Sequence, residues 1–221
     1  MANERDWRLT AAAMTVLACA GHSSAQCTPQ WIPMPESGWL NNDVWDMVEW
    51  RPTLESPSLL VASGNFVANG AHPLRFVGAW NGSQWTPLGD GLPGVGLSLL
   101  IRPSPRSGLS LLISGSTAAT SGGQNAPTPA MWTGIDWSPI GGGVGSHPFP
   151  EVRTMGYWNQ NLFIGGFFES AGGVYVNRSA RWDGTQWHAT DLRWVNGGYY
   201  AMHIHNGDLF VGGTFGLDGL P

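Results

Sequence analysis

Two histidines, His203 and His205, have the spacing in this chain that best suits metal binding. A single residue separates them, so in a β-strand both imidazoles lie on one face. Zinc or copper needs a third ligand at a matching depth, and Asp43, Asp46 and Glu49 belong to a distant part of the sequence. Polar lining is the competing interpretation. We predict no metal and no other cofactor. His203 and His205 are the candidate ligands for the competing metal-binding interpretation.

Asp46 and Glu49 raise a second possibility, a carboxylate pair for glycoside hydrolysis. Glycosidases hold two carboxyl groups at a set separation across a cleft. Residues three apart in one strand point to opposite faces, so this pair does not fit that geometry. Solvated carboxylates at a strand edge are the better interpretation. No catalytic residue is therefore predicted.

The 13 tryptophans suggest sugar binding, because an exposed indole can stack on a pyranose ring. Seven of them, however, recur in repeated motifs, which favours packing. Trp39, Trp45 and Trp194 have no equivalents in the other repeats. Together with Trp158, which closes a strand, they are the candidate ligand-binding residues.

A repeated hairpin must position these side chains. The pattern W-x-G-x-x-W occurs at residues 80–85, 132–137 and 182–187. Its Asn-Gly, Thr-Gly and Asp-Gly pairs predict two-residue turns, in which Gly accepts a positive φ. Both indoles then lie diagonally on one face of the sheet. A neighbouring sheet must cover them, and the next repeat can supply it.

The hairpin is the second half of a unit of about fifty residues. Successive motif tryptophans, Trp80, Trp132 and Trp182, are 52 and 50 residues apart. Short apolar runs divided by Pro, Gly and Asn predict four strands in each unit. The full units span about 44–94, 95–146 and 147–197, an incomplete unit covers 198–221, and residues 30–34 match a lone last strand.

A pair of small residues marks the end of each second strand. The four pairs are Ser63-Gly64, Ser114-Gly115, Gly165-Gly166 and Gly212-Gly213. Small residues at one fixed place either let an adjoining backbone approach closely or permit an unusual φ.

Composition and period together predict an all-β protein. The chain has 32 Gly and 16 Pro among 221 residues, which suits many short strands and tight turns. Four strands per unit and a period near fifty are typical of β-propeller blades. The expected architecture is a β-propeller of four-stranded antiparallel blades, with about three full blades and parts of a fourth.

Residues 162–173, followed by residues 180–184 and Trp187, resemble the Kelch-like, galactose-oxidase-type propeller repeats of secreted bacterial proteins. The resemblance implies a last blade assembled from both chain ends, with residues 30–34 as its outer strand. Because the fourth unit stops before its third strand, we expect the chain to be part of a longer propeller of six or seven blades. The copper and modified-tyrosine site of galactose oxidase cannot be mapped onto these residues, so its activity does not follow.

The first 25 residues predict secretion. Arg5 and Arg8 precede an apolar stretch, and small residues before Gln26 suit cleavage after Ala25. In the alternative, residues 16–19 form a lipobox and Cys19 carries a lipid anchor. Cleavage after Ala25 leaves Cys27 as the one thiol, so no intramolecular disulfide could form.

Charge limits the partners. The net charge is −5 and all ten basic residues are Arg, so no basic stripe predicts nucleic-acid binding. No later stretch resembles a membrane span. The resulting function hypothesis is a secreted or cell-surface module that binds a protein or a glycan without catalysis. The alternatives are a fragment of a propeller hydrolase or oxidoreductase whose active site lies in missing blades, and an architectural spacer.

Overall fold

A computed structural model describes residues 39–69, 72–92, 94–104, 108–116, 118–119, 125–126, 128–190 and 197–214. The predicted signal at residues 1–25, Cys27, the strand predicted at residues 30–34 and Trp194 lie outside these ranges. All regular elements within the described ranges are β-strands. The prediction of an all-β fold is confirmed.

The strands in chain order are β1 (Val44–Trp50), β2 (Leu59–Gly64), β3 (Ala68–Asn69), β4 (His72–Pro73), β5 (Val77–Trp80), β6 (Trp85–Pro87), β7 (Gly96–Ser104), β8 (Gly108–Gly115), β9 (Ala118–Ala119), β10 (Asn125–Ala126), β11 (Ala130–Trp132), β12 (Trp137–Pro139), β13 (Val144–Gly145), β14 (Glu151–Trp158), β15 (Asn161–Phe167), β16 (Ser170–Ala171), β17 (Val174–Tyr175), β18 (Ser179–Trp182), β19 (Trp187–Ala189), β20 (Tyr199–His205) and β21 (Asp208–Gly213).

The long strands form four antiparallel sheets, one per predicted unit. Sheet 1 has the order β1-β2-β5-β6, sheet 2 the order β7-β8-β11-β12 and sheet 3 the order β14-β15-β18-β19, while sheet 4 pairs β20 with β21. Four-stranded antiparallel sheets are therefore confirmed. The strands that begin the sheets, β1, β7, β14 and β20, are called the first strands below, and consecutive first strands are neighbours.

Small accessory sheets connect the second and third long strands of the units. These are β3-β4, β9-β10 and β16-β17, and the last is extended by β13, which precedes the first strand of sheet 3. The sequence pattern did not predict them, because strands of two residues are too short to show alternation.

The sheets pack face to face through apolar side chains. One buried cluster joins sheets 1 and 2 and includes Val61, Leu111 and Trp137. A second cluster joins sheets 2 and 3 and includes Leu112 and Ile164. Sheet 2 is therefore covered on both faces, which explains its uninterrupted apolar runs.

The motif tryptophans lie on one face of each sheet, as predicted, but they are not diagonal. Register pairs Trp80 directly with Trp85, and the other two motif pairs are matched in the same way. The turn therefore has four residues, and the predicted two-residue turn is wrong. The Asn81 side-chain oxygen accepts the Ser83 and Gln84 amides at 2.9 and 3.0 Å, and this capping stabilises the wider turn.

The preceding sheet covers the indole pairs of sheets 2 and 3, so for these two pairs the prediction that the next repeat does so is wrong. Trp137 Nε1 donates to the Leu88 carbonyl at 3.3 Å, and Trp187 Nε1 donates to the Gly141 carbonyl at 3.1 Å. The acceptors follow the last strand of the previous sheet. The hairpins thus supply both apolar contact and directional hydrogen bonds between neighbouring sheets.

Candidate functional site

The four first strands share a backbone irregularity at the same place. Pairing with the second strand shifts register between Val44 and Asp46, Gly96 and Ser98, Val152 and Thr154, and Tyr199 and Ala201. Each shift leaves one residue out of the ladder, and these bulge residues are Trp45, Leu97, Arg153 and Tyr200. A β-bulge redirects the side chain that it carries and is common beside functional sites.

The small residues predicted at the end of the second strands explain the bulges. A Cβ on Gly64, Gly115 or Gly166 would lie 2.1 Å from a carbonyl oxygen of the adjoining first-strand segment, and one on Gly213 would lie 2.3 Å away. The carbonyls belong to residues just before the bulges. Of the two roles predicted for these glycines, close backbone approach is the one observed, since none of the four has a positive φ.

The bulge residues line one cavity of about 470 Å³. Parts of all four first strands contribute, from Trp45 in β1 to Ile204 in β20. Because consecutive first strands are neighbours, the cavity lies along the row that they form. All four sheets therefore contribute to its surface.

Two partly exposed aromatic side chains lie at the ends of this row. Trp45 is 46% exposed and Tyr200 is 43% exposed, although each lies within a strand. Among the middle strands, β7 contributes Leu97 and β14 contributes Arg153. Both aromatic rings are therefore accessible to a molecule in the cavity.

Arg153 is held in place by ionic and aromatic contacts. Its Nε and Nη2 donate to the same Glu151 carboxylate oxygen at 3.0 and 2.9 Å. The guanidinium carbon lies 5.1 Å from the ring centroid of Phe167 and 5.4 Å from that of Tyr200, within cation–π range. The guanidinium thus has a fixed position beside an exposed aromatic ring.

A second arginine, Arg178, supports this arrangement through its contact with Phe167. The Arg178 guanidinium lies 5.6 Å from the Phe167 centroid, and its Nη1 donates to the Gly197 carbonyl at 2.6 Å. Phe167 in turn packs edge-on against Tyr200, with centroids 5.9 Å apart. Arg178 therefore ties sheet 3 to the segment that leads into β20.

Asp46 lines the cavity but does not fit the prediction of a solvated edge carboxylate. Its Oδ2 accepts the Leu99 amide at 2.7 Å and its Oδ1 accepts the Met47 amide at 2.8 Å. The first of these bonds joins β1 to β7. Glu49, by contrast, is exposed and accepts from the Ser58 hydroxyl. The two carboxylates have separate roles and do not form a pair.

The two histidines of the predicted metal pair have different surroundings. His203 lines the cavity, whereas His205 does not and instead contacts Asn206 and the ring of Phe210. Among the described residues, no group of three His, Cys, Asp or Glu side chains could hold a metal ion. We assign no metal site to this pair.

The four candidate tryptophans separate in the structure. Trp45 alone of the three described ones lines the cavity; Trp39 is 51% exposed and lies elsewhere, and Trp194 is outside the described residues. Trp158 has a packing role, because its Nε1 donates to the Gly207 carbonyl and its ring packs against Phe163.

Sequence reasoning missed Arg153 and Tyr200. A signal was present in the first strands, since Trp45, Arg153 and Tyr200 each lie five residues before the last residue of β1, β14 or β20. Aligning the units on the ends of their first strands brings the three residues into one column. Neither residue is a tryptophan, so the tryptophan pattern alone could not identify them.

Comparison of the chain with family models, with curated proteins and with solved structures gives no match. Within the described ranges no helix has the length and apolar character to cross a bilayer.

Proposed function

We propose that this chain is a β-propeller module that binds a protein or glycan ligand in the cavity between its first strands and does not transform it. The observation that carries the proposal is the convergence of Trp45, Leu97, Arg153 and Tyr200 on one cavity. In repeat proteins the residues needed for packing recur, whereas a binding surface varies from repeat to repeat. These four residues are the varying side chains on a recurring backbone.

The propeller proposal is supported by four features. They are the four-stranded sheets, the period near fifty residues, the neighbouring first strands and the likeness to Kelch-like repeats. In a propeller the first strands surround the central axis. A crystal structure of the full natural protein tests this directly: sheets arranged radially around β1, β7, β14 and β20 support it, and a straight stack of sheets contradicts it.

Ligand binding is tested with the full chain and a Trp45→Ala/Tyr200→Ala double variant. Immobilised protein is screened against a glycan array and against purified surface proteins, and every bound ligand is analysed for chemical change. An unchanged ligand that the double variant no longer binds supports the proposal. Binding that the double variant retains contradicts the assignment to the cavity, and conversion of the ligand into a product supports the enzyme alternative.

We further propose that the module acts outside the cell, on the basis of its N-terminal sequence. Intact-mass analysis of the mature protein checks this. A chain beginning at Gln26 indicates free secretion, and a lipidated chain beginning at Cys19 indicates membrane anchoring. A protein that keeps residues 1–25 would contradict both forms of export.

A further inference from the structure

The cavity combines exposed aromatic rings with a planar cation. The exposed rings of Trp45 and Tyr200 provide flat apolar faces at the two ends of the row of first strands. Arg153 provides a planar cation beside Tyr200. Resting on the proposed function, we propose that the cavity binds a glycan, with pyranose rings stacked on Trp45 and Tyr200 and their oxygen atoms bound by Arg153.

The chemistry of a pyranose explains why these groups belong in one site. A pyranose ring has C–H groups on its faces and hydroxyl groups around its edge. The C–H groups are attracted to the negative face of an aromatic ring, whereas the hydroxyls need hydrogen-bond partners. A purely apolar ligand would leave the guanidinium N–H groups that do not bond to Glu151 without partners, and a purely polar one would gain nothing from the exposed rings.

Arg153 is prepared for this role before a ligand arrives. Glu151 holds its Nε and Nη2, while Phe167 and Tyr200 contact the guanidinium. A donor group that is already ordered loses little conformational entropy on binding. The fork geometry of arginine suits two adjacent hydroxyls or one carboxylate, so both neutral and uronate-containing glycans fit this chemistry.

Further polar residues line the cavity together with Arg153. Ser98 lies on β7, Thr154 lies on β14 and His203 lies on β20. Hydroxyl and imidazole groups both donate and accept hydrogen bonds, as sugar hydroxyls require. The polar groups thus come from the strands that also carry Leu97, Arg153 and Tyr200.

The size of the cavity favours a small ligand or the end of a glycan chain over a protein surface. Its volume of about 470 Å³ lies within the range of about 300–1,000 Å³ that is typical of small-molecule pockets. Stable protein partners instead bury about 800 Å² of surface on each side, which is far more than one strand row offers.

The test uses the full chain and single substitutions at the two rings. Tyr200→Ala and Trp45→Ala remove a stacking face, and Tyr200→Phe keeps one. Tyr175→Ala and Trp39→Ala are matched controls, because both residues are exposed, at 70% and 51%, and neither lines the cavity. Neutral gluco-, manno-, galacto- and chito-oligosaccharides and oligogalacturonate are titrated by calorimetry, and circular dichroism verifies that each variant is folded.

We expect at least one oligosaccharide class to bind the unmodified chain. Its Kd should rise about tenfold or more in Tyr200→Ala and in Trp45→Ala, as truncation of an aromatic anchor does. Tyr200→Phe, Tyr175→Ala and Trp39→Ala should leave the Kd within about twofold. An Arg153→Lys variant should weaken oligogalacturonate more than neutral sugars if a carboxylate is the group bound.

Two results would overturn the inference. One is the absence of binding to every oligosaccharide tested, and the other is glycan binding that neither ring truncation weakens. If a purified protein binds in place of a glycan and Trp45→Ala or Tyr200→Ala abolishes that binding, the glycan assignment is wrong while the proposed binding function stands. If no ligand of either class depends on the cavity, both fail.

Discussion

The hairpins at the end of each sheet and the first strands at its beginning repeat in opposite ways. In the hairpins the side chains recur: the indole centroids of the three motif pairs are 5.7, 5.2 and 5.2 Å apart. In the first strands the backbone bulge recurs, but its residue is Trp, Leu, Arg or Tyr. Recurring side chains therefore mark packing, and a recurring backbone with changing side chains marks the candidate site.

The turns show a third, intermediate pattern. Asn81, Thr133 and Asp183 differ, yet each side-chain oxygen accepts backbone amides within its own turn. The following glycines have φ values of 99°, 102° and 104°. All three side chains accept the amide three residues further on, and Asn81 and Asp183 also accept the amide before it, so different residues stabilise the same kind of turn.

The largest expected effect comes from the hairpin side of the comparison. Trp137→Ala should lower the free energy of unfolding by about 3–5 kcal/mol, because it leaves a cavity between sheets 1 and 2. Trp137 is 1% exposed, and its Nε1 bonds to Leu88. Trp137→Phe is the control and should cost less, since it keeps a ring and loses the hydrogen bond. Urea unfolding measures both, and a loss below about 1 kcal/mol for Trp137→Ala would contradict the packing role.

The next effect tests the backbone of the first strands. Gly166→Ala should destabilise the protein by about 1–3 kcal/mol, because the new Cβ meets the Glu151 carbonyl and must displace the bulge. Gly212→Ala is the matched control, since its Cβ would lie 3.7 Å from the Ala201 Cβ, an ordinary contact. Thermal unfolding of the two variants gives the comparison. Equal stability would show that the bulge does not depend on this glycine.

A smaller effect is expected at Asp46, which joins two first strands. Asp46→Ala leaves the partly buried Leu99 amide without its carboxylate partner and should cost about 1 kcal/mol of unfolding free energy. Asp46→Asn retains an oxygen that can accept one amide, so it should cost less. In Asp46→Ala the amide hydrogen exchange of Leu99 should become faster, by more than that of the other β7 amides. Unchanged exchange there would argue against this link.

The smallest expected effect is a pH dependence of stability, and it concerns the turn that contains Asp183. The hydrogen bond from His188, followed by those from Gln186 and Thr185, holds the pKa of Asp183 well below its ordinary 3.8. A lowered pKa in the folded state adds stability above pH 3.8, and this contribution is lost as pH falls below that value. The difference in melting temperature between the unmodified chain and Asp183→Asn should therefore shrink below about pH 4. A difference in melting temperature that does not change with pH would contradict a stabilising role of the ionised Asp183 side chain.

Much of the fold could be predicted from the sequence, because its strands are short and clearly bounded. Gly, Pro and Asn divide the apolar runs, and each of the three full units has the four long strands that these runs predict. The width of the turn was missed, since it depends on a side-chain oxygen that caps backbone amides. The source of the indole cover was also missed, because alternation does not tell which neighbour a face meets.

The site was only partly predictable for a physical reason. Trp45 was identified as a tryptophan with no repeated equivalent, but Arg153 and Tyr200 are not unusual as residue types. A bulge interrupts the two-residue alternation on which face assignments rest, so the direction of its side chain cannot be read from the pattern. The sequence pattern includes the partner glycines Gly166 and Gly213. Their role could be assigned only from the structure, which shows the carbonyl groups opposite them.

Because a bulge residue stands outside the ladder of strand hydrogen bonds, its replacement does not disturb pairing between strands. Positions 45, 97, 153 and 200 can therefore be varied together while the glycines and tryptophans stay constant. A library randomised at these four codons would vary one residue in each sheet and so explore new binding specificities on an unaltered scaffold.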